Sequence, residues 1–236
     1  MKTVELAIVM PIYNEATNIE TVVAEWLREL DRLGIIYELL AINDGSKDNT
    51  GEVLKRLASA RPNIVVPVDK KNAGHGQACR TGYNLAVARE RPWTFQIDSD
   101  GQCDPQFFAE FWKNREDADC VFGVRTSRDD GVSRVLISVA CRFLTSLATG
   151  MDLKDLNVPY RLIRTSALQG ALLKIPDDFD MQNVALTLTL KRNASLRWKY
   201  LSIHFRDRQG GTNSINIKRI LAMGWELLLN LHRIKR

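Results

Sequence analysis

The sequence predicts an α/β fold with a mostly parallel central sheet flanked by helices and a helical C-terminal extension. Three observations carry this expectation. Up to about residue 125, short β-rich runs alternate with amphipathic helical segments, the order of a parallel sheet covered on both faces. After about residue 130 the pattern becomes more helical. The 236 residues, 45% hydrophobic and 26% charged, have ordinary globular proportions and enough length for one large core.

The strands expected in order are Glu5 to Met10, Glu38 to Ile42, Ile64 to Val68, Thr94 to Ile97 and Cys120 to Val124. Between the first two, Glu15 to Leu33 carries Ile19, Val22, Val23, Trp26, Leu27 and Leu30 at near-helical spacing, and Gly34 follows as a stop. A second helix follows Asp48, with Val53, Leu54 and Leu57 before Pro62. Later helices are expected at Val132 to Gly150, Ser166 to Leu173, Asp180 to Lys191 and Ile217 to Ile234. SLRWKYLSIHF reads as a strand region leading into the loop RDRQGGTNS. No repeat, low-complexity tract or interdomain linker breaks the chain, so residues 1–236 are expected to form one domain.

Composition narrows the partners. A formal charge of +5, with Lys and Arg dense after residue 112 and in LHRIKR at the end, suits phosphate-rich ligands, nucleic acid or anionic lipid. The basic residues are not interleaved with an aromatic platform, which argues against nucleic acid. Cys79, Cys103, Cys120 and Cys141 are widely spaced with no CxxC pair, so free thiols and a cytoplasmic location are expected. LAIVMPI is too short and ill-flanked for a secretory signal. No stretch reaches the roughly 20 apolar residues of a spanning helix.

The chemistry concentrates where strands end. TFQIDSDGQCDP places Asp98, Asp100 and Gln102 at alternate positions after an apolar run, where open α/β sheets bind ligands. Hard oxygen donors of this kind suit Mg²⁺ or Mn²⁺ completed by substrate phosphates. An EF-hand is excluded, since its Gly and Glu positions hold Cys103 and Ala109. By itself the string leaves a solvated acidic turn open. The first strand leads into MPIYNEATNI and lacks the dinucleotide fingerprint GxGxxG. AINDGSKDNT offers Asn43, Asp44 and Ser46 at the same edge, with Asp48 as a helix N-cap. KKNAGHGQACRTG sets Gly74 and Gly76 before a helix, where free amides favour a phosphate or sugar; His75 is read as structural.

Together, IVMPIYNEATNI, LLAINDGSKDNT, NAGHGQACRTG and DSDGQ resemble family 2 glycosyltransferases, in that family's order and at its usual separations. The Gln of DSDGQ is similar to that of the polyprenyl-phosphate sugar synthases, the group that includes dolichol-phosphate mannose synthase. The resemblance implies the GT-A nucleotide-diphospho-sugar transferase fold, with about 1–125 binding the nucleotide sugar and about 126–236 the acceptor. It implies Pro11, Tyr13, Asn14, Glu15, Asp44, Gly74, Gly76 and Asp98 as donor contacts. Asp98, Asp100 and Gln102 would hold Mg²⁺ or Mn²⁺, and Asp100, Arg125 and Arg208 would serve catalysis. VFGVR, DLNVPYRL and FRDRQGGTNS extend the likeness and offer Arg128, Arg134, Arg161 and Ser214 to an acceptor phosphate.

Two departures bear on chemistry. Asn43 replaces the first Asp of the family's DDGS, leaving Asp44 as the base-binding candidate. DMQNVA stands near the family's Gln-x-Glu, and Asn183 is a poor substitute for a carboxylate. A hydroxyl acceptor needs a general base, whereas a phosphate monoester is already anionic, so a polyprenyl phosphate acceptor is favoured. A glycan hydroxyl as acceptor, or a non-catalytic nucleotide-sugar-binding subunit, remain the alternatives. VSRVLISVACRFLTSLATG and IKRILAMGWELLLNLHRIKR fit interfacial helices as well as helices packed on the sheet. Attachment at the inner membrane face would then be peripheral or through a membrane-protein partner.

Overall fold

The structure, a computed structural model, describes residues 3–125, 154–179, 181–207 and 233–234. The five β-rich runs form β1 (Leu6–Ile12), β2 (Tyr37–Asp44), β3 (Val65–Lys70), β4 (Trp93–Ile97) and β5 (Cys120–Arg125). All but β4 extend beyond the expected run at the carboxyl end. The added residues include Pro11, Asn43, Asp44, Asp69 and Lys70, which have poor intrinsic strand preference. The parallel ladder holds them, pairing Pro11 with Ile42, Asn43 with Asp69 and Asp44 with Lys70.

Two further strands complete the sheet, β6 (Tyr160–Arg164) and β7 (Trp198–Ile203). The order is β3-β2-β1-β4-β6-β5-β7. β6 is antiparallel to both β4 and β5, while the other pairings are parallel. It was not expected as a strand, because VPYRLIR carries a proline and two arginines in a stretch of seven.

Among the described residues the α-helices are α1 (Ile19–Arg32), α2 (Thr50–Ala60), α3 (His75–Ala88), α4 (Phe108–Asn114), α5 (Thr165–Leu172) and α6 (Gln182–Arg192). α1 starts later than expected, because Asn14 has a positive φ of 54° and Glu15 O closes a turn on Asn18 N at 3.0 Å. Its buried residues are the six apolar ones picked out by spacing. α5 begins one residue before the expected span and α6 two residues after it. The expected helix Val132 to Gly150 lies outside the described residues, as does all of Ile217 to Ile234 except its last two residues.

Each sheet face has its own apolar layer. On one, α1, α2 and α4 cover Trp26, Phe95, Phe108, Phe111 and Tyr160, with ring centroids 4.7 Å apart for Phe95 and Phe108 and for Phe111 and Tyr160. Full burial of each such ring is worth about 1.5–3 kcal/mol. On the other, α3, α5 and α6 bury Tyr83, Leu168 and Leu186. α3 can approach β1 because residue 82 is glycine: a Cβ there would meet Val9 Cγ1 at 2.3 Å. Away from the ligand edge, Glu38 pairs with Arg89 and Arg91, and Asp119 pairs with Arg164 and Arg197. The carboxyl ends of β1, β2, β3 and β4 are thereby left to share the opposite edge.

Candidate active site

The loop after β1 is latched to the loop after β2. Asn14 N donates to Ser46 Oγ at 3.0 Å, and Asn14 Oδ1 accepts from Lys47 N at 2.8 Å. Asp48 was expected as the N-cap of α2, but Asn49 holds that position; Asp48, one residue earlier, accepts from Thr50 N at 3.0 Å at the helix start and from Ala16 N at 3.1 Å, which ties in the first loop. Burial works to raise the Asp48 pKa, but the hydrogen bonds from Thr50 and Ala16 outweigh it and hold the carboxyl below its ordinary range. Of the residues offered to the donor, Pro11 is buried at the strand end and Tyr13 is 43% exposed. Glu15 is buried, with its backbone N bonded to Thr50 Oγ1 at 2.9 Å and its carboxylate accepting from Asn18 Nδ2 at 3.1 Å. Its carboxylate braces the α1 entrance.

Asp44 is buried at the end of β2, and its carboxylate accepts from Ala73 N at 3.0 Å and Gly74 N at 2.9 Å. It also forms an ion pair with Lys70, while Asn72 Nδ2 donates to Asp44 O at 2.8 Å. Expected to reach a nucleobase directly, Asp44 in this structure shapes the glycine loop. The two loops touch at Gly45, which has φ +66°; a Cβ there would lie 2.7 Å from Asn72 N. Asn43 donates to Asp69 Oδ1 at 2.7 Å, so a carboxylate absent from position 43 is supplied beside it from β3. Only the ladder register brings Asp69 there. Gly74 caps α3, and Gly76 lies in its first turn.

The end of β4 faces that helix start. Asp98 Oδ1 lies 2.9 Å from His75 Nε2, with the Asp98 side chain 29% and the His75 side chain 52% exposed. His75, read from sequence as structural, therefore joins the glycine loop to the acidic loop. Its pKa is raised, by its contact with Cys79 first and with Asp98 next, against the opposing effect of desolvation. Asp100 Oδ1 accepts from Gln102 N at 3.1 Å across Gly101, which has φ 81°. Gln102 Nε2 donates to Arg206 O at 3.4 Å, so the carboxamide oxygen is the atom left to a cation.

Among the described residues, no three His, Cys, Asp or Glu side chains converge into a complete metal cage. Two carboxylates and one carboxamide on one short loop fit the incomplete protein shell that Mg²⁺ or Mn²⁺ takes when substrate phosphates supply further ligands.

The second half of the chain departs more from expectation. Arg125 ends β5 and grips Asp155 through Nε at 2.7 Å and Nη2 at 2.8 Å, with the Phe205 ring centroid 5.4 Å from its guanidinium. Arg161, expected at an acceptor phosphate, is fully buried instead. It donates to Val158 O at 2.6 and 2.9 Å, to Asn183 O at 3.0 Å and to Leu156 O at 3.3 Å. These carbonyls occupy its planar fork, which makes it an internal brace. Asn183 is buried too, 3.4 Å from Tyr83 Oη. Arg128, Arg134, Arg208 and Ser214 lie outside the described residues, as do Cys141 and Asp180.

The family model described as glycosyl transferase family 2 matches residues 7–169, which take in all four strand-end motifs and most of the sheet. The chain belongs to this family. As a family 2 glycosyltransferase it is 26% identical to an uncharacterized protein of Methanocaldococcus jannaschii, over 93% of this chain and 96% of that one. It is 23% identical to the undecaprenyl-phosphate 4-deoxy-4-formamido-L-arabinose transferase of Shewanella sediminis, over 96% of this chain and 66% of that transferase. Among solved structures, it superposes on glucosyl-3-phosphoglycerate synthase from Mycobacterium tuberculosis, determined with Mn²⁺ and UDP-glucose, with TM-score 0.68. That match covers 97% of this chain and 78% of the synthase at 18% identity, and it shows the GT-A fold. The glycosyltransferase thus has the architecture expected from its motifs. Of the residues given no site role by the sequence reading, His75 and Arg206 stand inside quoted motifs, NAGHGQACRTG and FRDRQGGTNS, while Asp69 acquires its place only through strand pairing.

Proposed function

We propose that this glycosyltransferase moves a sugar from a nucleoside diphosphate to a polyprenyl phosphate, with Mg²⁺ or Mn²⁺ and with inversion at the anomeric carbon. The observation that carries the reading is the 2.9 Å contact between His75 and Asp98, which joins an amide-rich helix start to a carboxylate loop. That pairing suits a diphosphate held between backbone N–H groups and a cation. Asp98, Asp100 and the Gln102 oxygen are the groups assigned to the cation. When bound, the metal offsets charge on the departing diphosphate.

In this reading Tyr13 and the loop through Glu15 flank the nucleoside, and Asp44, which takes the Ala73 and Gly74 N–H groups itself, holds the loop that leads into α3. Residues 1–125 act as the donor half and residues 126–236 as the acceptor half of one GT-A domain. The bond from the anomeric carbon to the diphosphate oxygen breaks, and an acceptor phosphate oxygen forms the new bond from the opposite side. Of Asp155, Asp178 and Asp180, the carboxylates that could serve a hydroxyl acceptor as base, the first two are ion-paired with Arg125 and Arg233 and the third lies outside the described residues. An acceptor that needs no base agrees with this, as does the likeness to undecaprenyl-phosphate transferases. Arg125, Arg128, Arg134, Arg208 and Ser214 are then the acceptor-side and catalytic candidates.

No helix among the described residues is long and apolar enough to cross a membrane. The lipid acceptor would be met at the cytoplasmic membrane face, by peripheral attachment or through a membrane-protein partner. The test is nucleoside diphosphate release from a panel of nucleotide sugars, with Mn²⁺ or Mg²⁺ and with or without a short-chain polyprenyl phosphate. Release that requires the lipid phosphate, a matching glycolipid, and loss of turnover in folded Asp100→Asn support the proposal. Donor binding without lipid-stimulated turnover points to a glycan acceptor or a non-catalytic subunit.

A further inference from the structure

The acidic loop is held from the C-terminal side of the chain. Beyond β7, Phe205 pairs antiparallel with Cys103, and Arg206 N donates to Gln102 O at 3.0 Å. Gln102 returns its Nε2 to Arg206 O at 3.4 Å. The Arg206 guanidinium then reaches two other elements: Nη1 lies 2.6 Å from Glu25 Oε2 on α1, and Nη2 lies 2.7 Å from Asp104 Oδ1. Asp104 is buried, and the same oxygen accepts from Gln106 N at 3.0 Å, capping the helical turn that ends the loop. Its backbone O accepts from Tyr160 Oη at 3.0 Å. One side chain therefore connects the first helix, the far end of the acidic loop and the start of the segment that carries Arg208.

We infer that Arg206 is a positioning residue for the cation site, holding Gln102 and the loop from Asp98 to Asp104 in register with the acceptor-side segment. This rests on the reading of Asp98, Asp100 and Gln102 as cation ligands. The reason is geometric. Gly101 permits the acidic loop its turn, and Asp100 Oδ1 accepts across that turn from Gln102 N. The main-chain pairing at Gln102 and the carboxylate pairing at Asp104 fix the loop on both sides of Cys103. An arginine can span Glu25 and Asp104 at once because its planar fork offers several N–H donors in fixed directions; a lysine ammonium cannot reproduce that geometry.

The test is binding of UDP and GDP to the full chain, each measured with and without Mn²⁺, beside a thermal melt. In Arg206→Ala the Mn²⁺-dependent gain in nucleotide affinity should fall by about 10–100-fold, the usual consequence of losing an outer-shell brace. Binding without Mn²⁺ should be unchanged, and Arg206→Lys should recover only part of the gain. A merely structural arginine would lower the melting point and leave the Mn²⁺-dependent gain intact, which would overturn the inference. Should Arg206→Ala fail to fold, Glu25→Gln removes one arm of the clamp from the protein surface and should lower the same gain by a smaller factor. An unaltered gain in that variant overturns the inference equally. A wild-type protein that binds nucleotide with no Mn²⁺ dependence overturns the underlying cation-site reading instead, and the inference falls with it.

Discussion

His75 Nε2 and Asp98 Oδ1 lie 2.9 Å apart, although 23 residues separate them in the chain. The contact spans the gap between the start of α3 and the end of β4, the two places where a nucleotide diphosphate and its cation would meet. Because the imidazole is half exposed, removing it should cost little folding free energy. His75→Ala is expected to lower donor turnover by about 10–100-fold with an unchanged melting temperature. His75→Gln, which keeps an N–H donor of similar reach, should recover part of that loss. Steady-state donor consumption and a melt on each variant decide it, and wild-type turnover in His75→Ala would return the residue to a structural role.

Asp44 holds the glycine loop by accepting from two amides while paired with Lys70. Asp44→Asn keeps an acceptor oxygen but loses the charge, and it places an N–H₂ group against neighbouring donors. The apparent KM for the nucleotide sugar should rise about tenfold, the equivalent of one charge-assisted hydrogen bond. Calorimetric titration with nucleoside diphosphate is the direct measurement. Unchanged affinity would show that the loop keeps its shape without Asp44.

Arg161 separates a brace from an acceptor ligand. Replacing it with Met strands the carbonyls of Leu156, Val158 and Asn183 in the interior. Unsatisfied buried acceptors of this number should destabilise the fold by about 3 kcal/mol or more. A large drop in the urea midpoint is expected. A variant that folds normally and only loses affinity for polyprenyl phosphate would restore the acceptor role.

Asp119 makes stability depend on pH at the edge of the sheet away from the candidate site. Burial works to raise its pKa, but hydrogen bonds from Arg197 and Arg164 prevail and pull the carboxyl down to about 2. A carboxyl with a depressed folded pKa stabilises the fold above its ordinary range near pH 4, and that contribution is lost as pH falls toward 2. Asp119→Asn should therefore be less stable than wild type at pH 7, by up to about 2 kcal/mol and less in high salt because its partners are exposed. The difference in denaturation midpoints should narrow steadily below pH 4. A gap independent of pH would assign the effect to packing.

Much of the architecture was legible in the sequence, for local reasons. Apolar spacing in α1 identified all six of its buried residues, since a single helix face must meet the sheet whatever lies beyond it. The strand-end motifs at Asn14, Asp44, Gly74 and Asp98 were visible because parallel strands deliver their following loops to one edge. Local pattern could not reveal β6, whose residues become a strand only between β4 and β5.

Partnership was decided by tertiary structure alone. Arginines look alike in a sequence, yet Arg161 spends its charge on interior carbonyls while Arg206 reaches two carboxylates on different elements. Asp69 stands beside Asn43 only because β3 pairs in that register. The alternation of elements and the chemical types gathered at the strand ends are written in the sequence, because both follow from short-range periodicity and turn chemistry. Only the folded chain decided which charges meet, since a charged side chain's role depends on the partner brought within hydrogen-bonding distance, and that partner is set by long-range strand order and register.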